Sequence, residues 1–172
     1  MAVTNTNSTQ VANAATVPVI TNTVTDRGSK LRFAYGACTQ GAAAGDTGSS
    51  FNVLYLPYNA TVLPQLSLIY IGATGFDTGG TVSVGFAAYT EYDATAVTAV
   101  ANRFIDAQAA DTGGVYIKFG TGAGAVKTPF KFSTGTAGIR DSAGGILLTA
   151  TSATAGILAG ATLCASVCYV IE

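Results

Sequence analysis

Residues 59–89 constrain the fold of this chain more than any other stretch. Two apolar segments lie on either side of a connection, residues 73–80, that is rich in Gly, Thr and Asp. In the second segment Val82, Val84 and Phe86 occupy alternate positions, which is the side-chain period of a β-strand. Such segments around a Gly-rich connection are typical of a β-hairpin, here with a loop of about eight residues. The sequence predicts that this hairpin lies at the centre of a β-sandwich.

The surface of the folded chain must be weakly charged. Charged side chains make up 10% of the 172 residues, against about 25% in an average protein. Thr, Ser, Asn and Gly must therefore cover the surface, as is common in proteins that bury their outsides in an assembly. A soluble monomer with a neutral polar surface is the alternative. The length fits one domain.

The charge pattern argues against direct binding of nucleic acid. The net charge is −1, and the eight basic residues are scattered from Arg27 to Arg140. Nucleic-acid binding draws its affinity from clustered Lys and Arg that neutralise phosphates. We therefore expect no nucleic-acid ligand.

Cysteine and histidine usage indicates no disulfide and no zinc site. Cys164 and Cys168 are four residues apart, which on a strand places them on one face about 13 Å apart, too far for a disulfide. With Cys38 as the third cysteine and no His in the chain, a zinc site would lack ligands. We predict buried free thiols, which fit folding in a reducing cytoplasm, and no cofactor. A cation site of Asp and carbonyl oxygens in the loops of Asp77 or Asp93 is an alternative.

No targeting or membrane segment is expected. The first ten residues are mostly Thr, Asn and Ser rather than a basic start before an apolar core. The most apolar stretch, residues 157–171, is shorter than the ~20 residues that span a bilayer.

The N-terminal residues 1–25 are predicted to form an extended arm, followed by a single β-sandwich domain over residues 26–172. Residues 2–25 carry no Gly and, before Asp26, no charged side chain. Such a segment has β preference and could add a strand to the sheet of a neighbouring subunit. A frayed terminus and a first strand of the same domain are the alternatives. The candidate contact residues of the arm are Val3, Val11, Val17, Val19 and Ile20.

Residues 36–50 form the second candidate contact surface. They are mostly Gly, Ala, Thr and Ser, and a loop of this length in a compact domain is often functional. Its candidate contact residues are Ala42 and Asp46.

One short amphipathic helix is predicted over residues 95–110. Val97, Val100, Phe104 and Ile105 recur there at intervals of three and four residues.

The remaining segments indicate strands, so the fold class is mainly all-β. In the first of them Leu31, Phe33 and Tyr35 share one face, Lys30 and Arg32 share the other, and one face is solvated. About eight strands with one helix predict an antiparallel jelly-roll-like β-sandwich. The other predicted strands cover residues 50–56, 115–119, 129–133, 146–150 and 161–172.

The Gly-rich residues 120–128 do not match a phosphate-binding loop. Val126 precedes the lysine where a P-loop has Gly, and Pro129 opens a segment of period two instead of a helix. An ordinary hairpin loop between the flanking strands is expected.

An enzyme is not expected. Triad chemistry requires a base that is usually His, and the nine acidic residues are spread along the chain. A small hydrolase, with carboxylates that converge only in space, is the alternative.

Four short segments carry a resemblance to a known class of proteins. Residues 59–64 (NATVLP), 75–85 (GFDTGGTVSVG), 153–158 (ATAGIL) and 167–172 (VCYVIE) resemble segments of virion structural proteins of tailed bacteriophages. Among these, the chain is most similar to the capsid decoration, or cement, proteins. The resemblance implies a β-sandwich on the outer surface of the head, often as a trimer, assembled in the host cytoplasm.

The function expected from this resemblance is non-enzymatic stabilisation of contacts between major capsid protein subunits. The partners are then the major capsid protein and further copies of this chain. A phage tail or fibre module that binds a partner protein or a host glycan is the alternative. Exposed Tyr58, Tyr89 and Tyr92 around one cleft would favour a fibre, and a flat apolar base would favour a cement protein.

Overall fold

The computed structural model describes residues 3–7, 12, 31–91, 93–132 and 145–171. Regular structure in these residues is almost entirely extended, apart from one turn of 3-10 helix at Pro64–Leu66. None of it is a helix long and apolar enough to cross a membrane. The strands are β1 (Asn5–Asn7), β2 (Leu31–Thr39), β3 (Ser50–Pro57), β4 (Ala60–Val62), β5 (Leu68–Ile71), β6 (Thr81–Phe86), β7 (Tyr89–Thr90), β8 (Ala96–Val97), β9 (Val100–Ala109), β10 (Val115–Lys118), β11 (Phe130–Lys131), β12 (Gly145–Ser152) and β13 (Thr162–Ile171).

Two packed sheets contain most of these strands. The five-stranded sheet has the order β1-β3-β12-β6-β9, and the six-stranded sheet has the order β10-β5-β13-β4-β11, with β2 also paired to β13. Strands β7 and β8 form a separate small hairpin. Every described pair of strands is antiparallel except β1 with β3.

The pairing is that of a jelly roll. We treat β4 and β5 as one strand interrupted by the 3-10 turn, and β10 and β11 as one strand interrupted by residues 119–129. Four antiparallel pairs are then nested in sequence: β2 with β13, β3 with β12, β4/β5 with β10/β11, and β6 with β9. Contacts of β13 with β5 and of β12 with β6 join these pairs into two sheets. The predicted jelly-roll-like sandwich is confirmed.

The predicted hairpin over residues 59–89 is wrong in its pairing. Strand β5 lies in the six-stranded sheet and β6 lies in the five-stranded sheet, so residues 72–80 cross from one sheet to the other. Packed sheets are about 10 Å apart, a distance that an extended segment of this length spans. Alternating apolar residues specify a strand but not its partner, which is why the hairpin could not be distinguished from a crossing.

The predicted hairpin around the Gly-rich residues 120–128 is wrong for the same reason. Strands β10 and β11 do not pair with each other. They pair in line with β5 and β4, with Ile117 opposite Ile69 and Phe130 opposite Val62.

The helix predicted over residues 95–110 is also wrong, because the segment contains β9. The register between β9 and β6 shifts twice, so that residues 100–108 lie opposite residues 82–86. The extra residues break the alternation of side chains, and Phe104 and Ile105 are buried in succession. Apolar residues displaced in this way recur at intervals of three and four, which imitates the period of a helix.

Buried apolar side chains from both sheets form one core. Phe86, Phe104, Phe119, Phe130 and Phe132 make ring contacts with centroids 5.1 to 6.1 Å apart. Burial of each such ring contributes about 1.5–3 kcal/mol relative to exposure. The largest fully buried side chains are Phe51, Leu54, Leu56, Ile69, Ile71, Phe76, Phe104, Ile105, Ile146, Leu148, Ile157 and Leu163.

Two terminal predictions have different outcomes. The long closing strand is confirmed, since β13 pairs with β2 on one side and with β4 and β5 on the other. In the predicted arm, Asn5–Asn7 pair in parallel with β3 of the same chain. Val11, Val17, Val19 and Ile20 lie outside the described residues, so the reach of the arm to a neighbouring subunit stays a prediction.

Candidate contact surface

Acidic side chains in the candidate cation loops take part in turns. The backbone N–H of Thr78 donates to Asp77 at 2.7 Å, and that of Thr95 donates to Asp93 at 2.9 Å. The bond from Thr95 lowers the pKa of the Asp93 carboxyl. Within the residues that the structure describes, no three Cys, Asp or Glu side chains lie close enough to share a metal ion. A site that combines one of these carboxylates with backbone carbonyl oxygens stays the alternative that the sequence raised.

All three cysteines are free, as predicted. Burial raises the pKa of the Cys38 thiol to about 12, and burial also raises the pKa of Cys168. Cys164 differs because it is only half-buried, on the outer side of β13. It is the thiol that a reagent in solution reaches most readily.

The two predicted contact segments meet at one edge of the sandwich. The backbone N–H of Thr4 donates to Ser49 Oγ at 2.9 Å, and Gln40 Nε2 donates to Thr4 Oγ1 at 3.2 Å. The structure thus joins the start of the predicted arm to both ends of the loop. Val3 is 62% exposed beside this junction.

The loop is shorter and better anchored than the sequence predicts. Strand β2 continues to Thr39, because Cys38 and Thr39 pair with Leu163 and Thr162 of β13. Gly36 lets β2 pass β3 so closely that a Cβ would overlap the carbonyl oxygen of Val53. In the remaining loop, residues 40–49, Ala42 is exposed and Asp46 is half-buried. Gly45 exchanges two backbone hydrogen bonds with Ile157, at 2.9 and 3.0 Å.

A larger candidate surface lies on the outer side of the six-stranded sheet. Phe33 is 62% exposed, Tyr35 63% and Tyr116 70%, although each belongs to a regular strand. We call this surface the aromatic face. It comprises the outward side chains of β2, β13, β5 and β10, namely Leu31, Phe33, Tyr35, Cys164, Ser166, Leu68, Tyr70, Tyr116 and Lys118.

Strand register arranges the aromatic face in rows across the sheet. One row runs Ala37, Cys164, Tyr70 and Tyr116. The rings of Tyr70 and Tyr116 pack together with centroids 4.7 Å apart. The small side chains of β13 therefore lie between aromatic side chains on β2 and on β5 and β10.

The next row contains Tyr35 and the charged side chain of Lys118. It runs Tyr35, Ser166, Leu68 and Lys118. The Tyr35 hydroxyl shares a hydrogen bond with the Cys164 side chain, and this bond raises the pKa of Tyr35.

The opposite outer surface, on the five-stranded sheet, carries mostly small polar side chains, with Tyr55 and Leu147 half-buried among them. Ser50 Oγ donates to Asn5 Oδ1 at 2.8 Å, and Asn52 Nδ2 donates to Asn7 Oδ1 at 2.6 Å. Thr149 and Thr151 point to the same side of β12. The two outer surfaces of the sandwich therefore differ in chemistry.

The sequence pattern predicted which side chains share a face of β2, but it did not predict that the apolar face points to solvent. Leu31, Phe33 and Tyr35 were expected to share a face, which is confirmed, but this apolar face is exposed while Arg32 on the other face is half-buried. Period two groups side chains by face and does not say which face meets the core. The sequence signal for an exposed face was the presence of Phe and Tyr on β2 together with Thr and Ser on β13.

Comparison with known proteins gives structural matches only. No protein family model and no curated protein matches the chain. A chain of the capsid of Ralstonia phage GP4 has a TM-score of 0.63 at 15% sequence identity, covering 98% of this chain and 98% of that chain. A chain of the cyanophage Pam1 capsid asymmetric unit has a TM-score of 0.54 at 15% identity, covering 89% of this chain and 93% of that chain. At such identity, the similarity establishes a shared fold over nearly the whole chain.

Proposed function

We propose that this chain is a non-enzymatic structural protein of a bacteriophage virion, which binds the outer surface of the head and stabilises contacts between major capsid protein subunits. The observation that carries this proposal is the correspondence of its jelly roll, over 98% of both chains, with a chain of a phage capsid. A fold by itself supports many functions. The surfaces of the molecule supply the further argument.

The low charge of the molecular surface suits a protein that acts by burying surface area against other proteins. Only 10% of the residues are charged, so few ionic groups must lose water when the protein docks. A standard interface buries about 1,600 Å² in total, and many copies on a shell multiply a modest energy. We propose a trimer on the outer capsid surface, assembled in the host cytoplasm, with the major capsid protein as its partner.

The tail or fibre alternative receives less support from the tyrosines. Tyr58 is 45% exposed in the turn between β3 and β4, but Tyr89 is buried and its ring packs 6.0 Å from that of Phe86. These two do not line a common cleft, and Tyr92 lies outside the described residues. The most exposed aromatic side chains, Phe33, Tyr35 and Tyr116, lie instead on strands of one sheet.

A binding experiment separates these functions. The purified protein is mixed with empty expanded phage heads that lack it, with tails, or with host cell-envelope glycan, and each mixture is sedimented. We expect saturable binding to heads alone. Binding to tails or to glycan, without binding to heads, would overturn the proposal in favour of the fibre function.

A further inference from the structure

We infer that the aromatic face is the surface with which this chain docks on the head, and that its occupant is a protein surface with an apolar centre and carboxylates at its rim. This inference rests on the proposed function and deepens it. It assigns the side of the sandwich that meets the shell, and it leaves the polar outer surface of the five-stranded sheet facing outward.

Exposure of three aromatic rings on one sheet is the first argument. Phe33, Tyr35 and Tyr116 are each more than three-fifths exposed. Strands β2 and β10 are three strand spacings apart, or about 14 Å, so the rings belong to one continuous surface. Single exposed apolar residues are normal, whereas a contiguous patch marks a binding site. Tyr and Phe are also enriched at protein interfaces.

Preorganisation of this face is the second argument. The Tyr70 and Tyr116 rings are already packed at 4.7 Å, and Tyr35 lies opposite Ser166 on a strand paired with β13. All of them stand on paired strands rather than on loops. Side chains fixed before docking lose little conformational entropy on binding. The face is therefore built for a partner of fixed shape.

Charge selects the occupant. The outward Lys118 and Lys131 lie on β10 and β11, at one margin of the six-stranded sheet. The described carboxylates belong to inter-sheet loops, to the β7–β8 turn or to β9 of the other sheet: Asp46, Asp77, Glu91, Asp93, Asp106 and Asp111. A second copy joined through this face would offer Lys118 no carboxylate from its own strands β2, β5, β10 and β13, which is unfavourable. An acidic rim on a different protein complements the same margin.

Substitution of exposed rings tests the face. Phe33→Ser and Tyr116→Ser are each expected to weaken binding to heads about tenfold or more, as removal of an aromatic side chain that anchors an interface does. Leu158→Ser is the matched control, because Leu158 is an exposed apolar residue in the loop before β13. All three side chains are exposed, so the unfolding temperature should change little. Sedimentation velocity gives the oligomeric state of each variant.

Each outcome of this experiment decides something different. Failure of the unmodified protein to bind heads would overturn the proposed function. Binding that is normal in both Phe33→Ser and Tyr116→Ser would overturn the docking face alone. Loss of the oligomer in these variants would show that a second copy occupies the face, which also overturns the inference.

The rim is tested separately. Lys118→Glu should weaken head binding, and added salt should reduce the difference from the unmodified protein, because exposed charges are screened beyond about 10 Å at 0.1 M salt. Unchanged binding in Lys118→Glu at low salt would overturn the acidic rim.

Cys164 provides a footprint that needs no substitution. It lies in the middle of the aromatic face and is half-buried, while Cys38 and Cys168 are buried. In the free protein, a maleimide should label Cys164 first. On heads this labelling should slow if the face is covered, because the covered thiol is reached only when the protein leaves the head. An unchanged labelling rate on saturated heads would contradict docking through this face.

Discussion

At the scale of single residues, close backbone approach explains why particular glycines occupy this fold. Gly85 of β6 lies where β9 departs from regular register, and a Cβ there would overlap the carbonyl oxygen of Val100. Gly41 lies in the loop after β2 with no atom within 4 Å of its hypothetical Cβ. The two glycines therefore form a matched pair for substitution, because a Cβ has room at Gly41 and none at Gly85.

Gly85→Ala should lower the free energy of unfolding by about 2–4 kcal/mol, because the added methyl group forces β6 and β9 apart. In a domain of this size each kcal/mol lowers the unfolding temperature by about 2–4 °C. Gly41→Ala should remain within about 0.5 kcal/mol of the unmodified protein. Equal stability of the two variants in thermal unfolding would contradict the described contact between β6 and β9.

Asp106 links β9 to the Gly-rich residues 120–128. Its carboxylate accepts hydrogen bonds from Asn102 Nδ2 at 3.1 Å and from the backbone N–H of Gly124 at 2.8 Å. These bonds, led by that from Asn102, lower the pKa of the Asp106 carboxyl. A carboxyl whose pKa is lower in the folded state stabilises the fold above its unfolded pKa of about 3.9, and this contribution is lost as the pH falls further.

Asp106→Asn should therefore reduce the unfolding temperature near neutral pH and have a smaller effect at the acid end of the pH range, where the carboxyl of the unmodified protein is protonated. Thermal unfolding followed from pH 7 to pH 2 measures both limits on the same protein. Parallel curves for the variant and the unmodified protein would show that ionised Asp106 does not stabilise the fold through these bonds.

At the scale of elements, the sequence predicted strands better than it predicted their partners. Strands β3, β12 and β13 were predicted nearly to their ends, because each is a run of apolar and small residues that follows Gly-containing turn residues. The pairing of β5 with β10, instead of with β6, depends on contacts between residues distant in sequence. No local pattern contains that information.

The predicted helix shows how an irregular strand misleads. Phe104 and Ile105 are both buried, because β9 carries more residues than the part of β6 that it covers. Helical and bulged-strand patterns then place apolar residues at similar intervals. The aromatic face was missed for a related reason, since a strand at the sheet edge can be apolar on its outer side as well.

Phe104→Ala tests the role of β9 in the core. Phe104 is fully buried and its ring packs against Phe119 at 5.3 Å and Phe130 at 5.5 Å. Removal of a buried ring costs about 3–5 kcal/mol. Chemical denaturation should give a loss in that range, and a loss below 1 kcal/mol would contradict the burial of this strand.

At the scale of the whole molecule, the sandwich has two chemically different outer surfaces. One carries Phe33, Tyr35 and Tyr116, and the other carries Ser50, Asn52 and Thr149. Because the chain carries few charges, contact through the aromatic surface is more favourable than contact through the polar surface, which stays in water. The composition predicted a protein of assemblies, and the fold assigns which side is available for contact.

The most direct test of a cementing role is the temperature at which phage heads rupture. Empty expanded heads that lack the protein are heated alone, or after saturation with the unmodified protein or with Phe33→Ser. We expect a higher rupture temperature with the unmodified protein, and little increase with Phe33→Ser at the same concentration. Saturated heads that rupture at the same temperature as bare heads would contradict stabilisation of the capsid by this chain.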